Sequence, residues 1–131
     1  MVNKALKKYT HKETWSRRSE DFTVEVARWE DESPDGTKYK WNVYCYIYPK
    51  HKLFEVPKEE SMCDCPINNL HNGCTLARWH TDGSGKVTSK QYGSDYSHIW
   101  DEGMEKIKEP EDAQSVFNDA EDLFNELEER S

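Results

Sequence analysis

The sequence predicts an α+β fold: an antiparallel sheet of four to five strands, built from two β-hairpins and packed against a C-terminal amphipathic helix. Segments that alternate apolar and polar residues cluster in the early and middle parts of the chain, and turns rich in Pro, Gly and Asp separate them. After Glu109 the apolar period lengthens from two residues to three or four, which marks a helix. Strands first and one long helix last is the order expected of an α+β domain. At 131 residues the chain is long enough for one domain with a modest core.

Residues 1–20 read as a basic arm or short helix, with Lys4, Lys7, Lys8, Lys12, Arg17 and Arg18 against Glu13 and Glu20. Residues 21–92 hold the two hairpins and an irregular connector. Phe22-Thr-Val-Glu-Val-Ala-Arg-Trp29 alternates, as does Tyr39-Lys-Trp-Asn-Val-Tyr-Cys-Tyr-Ile-Tyr48, across a Pro34-Asp35-Gly36 turn. The second of these strands has Tyr39, Trp41, Val43, Cys45 and Ile47 on one face and Tyr44, Tyr46 and Tyr48 on the other, so it is expected at the centre of the sheet. The connector 49–72 contains Pro49, Pro57 and Pro66. The second hairpin runs from Cys74 to His80, turns through Asp82-Gly-Ser-Gly85, and returns over Val87–Tyr92. Residues 93–108 form a motif-bearing turn. In residues 109–131, Val116, Phe117, Ala120, Leu123, Phe124 and Leu127 make one apolar stripe on an acidic helix; Pro110 suits its first turn, and Glu111 and Asp112 complement its dipole.

Composition narrows the function classes. Five Trp, seven Tyr and four Phe supply core anchors despite an apolar content of only 34%. No run of 18 apolar residues crosses a membrane, and the N-terminus lacks the apolar stretch of a secretory signal, so a cytoplasmic location and reduced cysteines are expected. The formal charge of -8 is uneven: the first 18 residues carry a net +5 and residues 110–131 a net -7. A basic arm beside an acidic helix argues against a uniform nucleic-acid surface and leaves room for a small phosphate-binding patch or a basic partner.

Chemistry concentrates in His51, His71, Asp95, His98 and Asp101. Imidazoles and carboxylates bind transition metals or move protons at neutral pH. Asp95, His98 and Asp101 are spaced to share one face of a helical turn, which Ser94 would cap and Gly103 would end. The same residues would serve equally well as local turn caps, with His98 bonded to a backbone carbonyl. Cys63, Cys65 and Cys74 with His71 have the composition of a structural zinc site, although Cys-x-Cys is narrower than the usual knuckle; unligated thiols are the alternative. No nucleophile elbow, phosphate-binding glycine loop or His-Glu-x-x-His motif occurs.

These segments resemble a small protein family widespread in tailed bacteriophages and prophages. That family runs from a Pro-x-x-His-Pro-Leu-Tyr strand end through a His-Gly-Gly-[Leu/Ile]-Thr turn and a Gly-Phe-Asp-Cys-Ala-His-x-x-Asp segment to an acidic helix. The matching stretches are Tyr48–Phe54, Leu70–Thr75, Lys90–Asp101 and Phe117–Leu127, in order over residues 39–128. His51, His71, Asp95, His98 and Asp101 match the family's polar positions, and Gly73 and Gly93 its glycines. The chain departs at Lys52, Asn72 and Ser94-Asp95-Tyr96; with Tyr96 where the family has Cys, a thiol nucleophile there is excluded. Cys63 and Cys65 lie where the family pattern specifies nothing.

The resemblance implies a phage accessory protein in the host cytoplasm. Two functions are expected in competition. One is metal-assisted hydrolysis of a phosphate ester or nucleotide, with His71, Asp95 and His98 holding zinc or manganese and Asp101 or His51 as acid or base. The other is a non-catalytic protein that binds or inhibits a host protein through its acidic surface, or sequesters a nucleotide messenger.

Overall fold

In a computed structural model the described residues are 5–34, 36–55, 67, 69, 70, 76–96 and 106–131. They form a six-stranded antiparallel sheet with one C-terminal helix on one face, an α+β architecture. The strands are β1 (Thr10–His11), β2 (Trp15–Arg18), β3 (Phe22–Ser33), β4 (Gly36–Ile47), β5 (Leu76–Thr81) and β6 (Val87–Asp95), and the helix is α1 (Gln114–Glu129). Their order across the sheet is β1-β2-β3-β4-β6-β5. The tyrosine-bearing strand β4 therefore sits inside the sheet, as its two apolar faces require.

The two expected hairpins are β3–β4 and β5–β6. The first is longer than the alternation alone marks: pairing runs from Phe22 opposite Ile47 to Ser33 opposite Gly36. Gly36 adopts φ +115°, a conformation other L-residues rarely take, and so closes the turn. At the β5–β6 turn, Asp82 Oδ1 accepts hydrogen bonds from the Ser84 hydroxyl at 2.6 Å and from the Ser84 and Lys86 N–H groups at 2.8 and 3.1 Å. The Ser84 hydroxyl foremost, then these N–H groups, hold the Asp82 carboxyl below its usual range.

Two features differ from the sequence expectation. The basic arm contributes a short 3₁₀ turn (Leu6–Lys8) and two strands, because Trp15 and Arg17 pair opposite Val26 and Val24 and add to the β3 edge. Asp95 is extended rather than helical: β6 continues past Tyr92, with Gly93, Ser94 and Asp95 paired to Tyr44, Val43 and Asn42. Ser94 is buried with its hydroxyl unbonded, so it caps no helical turn.

One core lies between the sheet and α1. Val24, Val26, Trp41, Val43, Cys45, Ile47 and Tyr92 meet Val116, Phe117, Ala120, Leu123, Phe124 and Leu127, the full apolar stripe of the helix. Aromatic packing joins them: Trp15 stacks on Trp41 at 5.6 Å, and Phe22 lies 4.8 Å from Phe124. Polar bonds fix the helix in place. Arg17 donates to both oxygens of Glu121 at 2.7 Å, Lys8 adds a bond at 3.1 Å, and the Tyr96 hydroxyl donates to Asp119 at 2.6 Å.

Candidate functional site

His51 follows a turn in which its own N–H donates to the Tyr48 carbonyl. Its side chain is 1% exposed. The Leu53 N–H donates to Nδ1 at 3.0 Å, so Nδ1 must be an acceptor and the neutral ring carries its proton on Nε2. Nε2 then donates to the Leu127 carbonyl at 2.8 Å. That carbonyl belongs to the last turn of α1, where helical partners run out. His51 is thus a helix C-terminal clamp, with Phe22 edge-on at 5.7 Å and both ring nitrogens engaged by main chain.

Asp95 lies elsewhere. It pairs with Asn42, whereas the chain leaves β4 toward His51 from Ile47, which pairs with Lys90. Five residues of strand separate the two rows, about 17 Å at a strand's rise per residue. Alternation also puts Asp95 on the face turned away from α1, while His51 is sealed beneath it. The structure therefore does not bring His51 and Asp95 into one pocket. His71, His98 and Asp101 lie outside the described residues, as do Cys63, Cys65 and Cys74 of the zinc expectation. Among the described residues, no group of three or more His, Cys, Asp or Glu side chains is placed to hold a metal.

The acidic helix divides its carboxylates by job. Asp119, Glu121 and Glu126 face inward and bond to the fold: Asp119 to Tyr96, Glu121 to Arg17 and Lys8, Glu126 to Asn69 and Arg130. Burial raises the Glu121 pKa, but the Arg17 and Lys8 hydrogen bonds and charges outweigh it and leave the carboxyl below its usual range. Asp122, Glu128 and Glu129 face outward, as do Glu111 and Asp112 in the 3₁₀ turn before the helix (Pro110–Asp112). Among the described residues none of these five makes an ion pair or side-chain hydrogen bond. Between the two sets lies a shallow depression lined by Asn69, Leu70, Asp119 and Asp122.

The position of Glu128 and Glu129 is unfavourable for the helix. The C-terminal end of a helix is its negative pole, where each carboxylate costs about 0.3–1 kcal/mol at the surface. Arg130, the one cation there, is already bonded to Glu126 at 2.5 Å. Sequence reading found the acidity of this segment but not its division, because the partners Lys8, Arg17, Asn69 and Tyr96 are distant in the chain. No helix among the described residues is long and apolar enough to cross a membrane. No known family model, curated protein or solved structure matches the chain.

Proposed function

We propose that this chain is a non-catalytic binding protein, a phage accessory factor of the host cytoplasm, that engages a basic surface of a host protein through the outward face of α1. One observation carries this reading: Glu128 and Glu129 stand exposed at the negative end of the helix, where their charges are unfavourable, and among the described residues neither has an ion pair or side-chain hydrogen bond. Residues kept against local stability are the pattern of a surface selected for another task. Asp122, seven residues before Glu129, shares its side of the helix, and α1 extends about 24 Å, long enough to present these charges to a partner as one ridge.

The test is affinity capture from a bacterial lysate with the wild type and the Asp122→Lys/Glu128→Lys/Glu129→Lys variant side by side. The reading expects a basic protein held by the wild type and lost by the variant, with the same circular dichroism for both. Identical capture by both would contradict it. Metal analysis addresses the competing hydrolase: stoichiometric zinc or manganese, lost in His98→Ala with the fold intact, would favour that function instead.

A further inference from the structure

The face of the sheet turned away from α1 carries an aromatic row. Alternation along β4 directs Tyr44 and Tyr46, and Tyr48 just past the strand, to that side at intervals of about 6.7 Å. Trp29 of β3 lies on the same face opposite Lys40, and it is 56% exposed, the exposed large apolar side chain among the described residues. His80 of β5 lies with its ring 6.0 Å from that of Tyr46. The other described elements pack on the opposite face: Tyr9 against Phe117, Leu53 in the core, and the Ile107 carbonyl on the Trp41 indole.

These rings are held in place. A Cβ at Gly93 would fall 2.3 Å from Tyr44 Cδ1, so the Tyr44 ring lies down across the glycine backbone with its second face outward. Tyr46 donates to Glu25 at 3.4 Å, and the Tyr48 and Thr23 hydroxyls are 2.8 Å apart. Burial, with the Glu25 charge, pushes the Tyr46 pKa up to about 12, so the phenol is neutral at physiological pH. Aliphatic surface is scarce: Ala27 and Leu76 are the aliphatic residues that the register puts here.

Charge on this face is balanced, whereas the chain as a whole is acidic. Over the rows that hold the rings, Arg18, Lys40 and Arg78 balance Glu25, Asp95 and Asp21, the last opposite Tyr48; Glu25 accepts bonds from Thr14 and Tyr46. The Arg18 guanidinium lies 5.5 Å from the Tyr48 ring centre. A formal charge of -8 conceals this arrangement because the outward acids of α1 lie on the other side of the sheet.

We propose that this face binds single-stranded nucleic acid, with bases stacked on Trp29, Tyr44 and Tyr46 and phosphates met by Arg18, Lys40 and Arg78. Aromatic rings on an open sheet take bases of any sequence by their flat faces, provided that the bases are not already stacked in a duplex. Scarce aliphatic area, with Arg18, Lys40 and Arg78 beside the rings, favours this occupant over an apolar protein surface. The site is independent of the acidic ridge on α1.

Fluorescence anisotropy of labelled oligo(dT) and oligo(U) of about 12 nucleotides, titrated with the full chain at low salt, tests the assignment. The expected result is binding to both single strands and not to a duplex. Trp29→Ala and Tyr44→Ala should each weaken binding about tenfold, whereas Tyr44→Phe should retain it. Arg78→Ala should weaken binding and make the logarithmic salt slope shallower by roughly 0.7. Trp29 is exposed, so its removal leaves the core intact and the reading does not depend on a damaged fold. No binding to either oligonucleotide, equal affinity for a duplex, or wild-type binding by Trp29→Ala would overturn the proposal. So would self-association that Trp29→Ala abolishes without any oligonucleotide binding, which would assign the face to a second copy of the chain.

Discussion

His51 illustrates how a residue that looks catalytic in sequence can be spent on the fold. Replacing it with Ala leaves the Leu53 N–H and the Leu127 carbonyl buried without their partner. The expected cost is about 2–4 kcal/mol in urea denaturation, given two lost hydrogen bonds at a buried site. Wild-type stability in His51→Ala would contradict the clamp. Gly93 is the second residue with a defined job. Gly93→Ala should cost about 1–3 kcal/mol by overpacking against Tyr44. In a double-mutant cycle with Tyr44→Ala, most of that cost should disappear, because the clash disappears with the ring. The sequence pointed to both positions, but the partner of His51 is 76 residues away and no local pattern encodes it.

At the scale of elements, what was legible was what is local. The β3–β4 and β5–β6 hairpins follow from period-two alternation around Gly-bearing turns, and the α1 stripe follows from its three- and four-residue spacing, every member of it buried. Strand β2 was not legible: Trp15-Ser-Arg-Arg18 is short and charged, and it becomes a strand only because β3 offers an edge and Glu121 receives Arg17. That ion pair sets a pH dependence. The Glu121 pKa lies below its 4.5 reference in the folded state, so its stabilisation is fully present above pH 4.5 and is lost as pH falls through the folded value. Glu121→Gln should therefore cost about 1–3 kcal/mol at neutral pH and nearly nothing in strong acid, read from denaturation midpoints across pH. At the other end of the helix the sign reverses. Glu128→Lys/Glu129→Lys should raise stability by about 0.5–2 kcal/mol, since both changes favour the dipole.

For the whole molecule, the sheet divides two surfaces of different character: an acidic ridge on α1 and an aromatic face behind β4 whose charges balance. The net charge of the chain conveys neither, because it sums over both. The proposed site of three imidazoles and two carboxylates is only partly placed: His51 and Asp95 lie apart, and His71, His98 and Asp101 lie outside the described residues. The central claim is that the outward acids of α1 serve a partner at the expense of the helix. Its most direct test is calorimetric titration of the captured partner into wild type and Glu128→Lys/Glu129→Lys, with the thermal stability of both proteins measured alongside. The variant should be more stable than wild type yet bind at least about tenfold more weakly, with the wild-type affinity itself falling as salt rises. A variant that binds as tightly as wild type would contradict it.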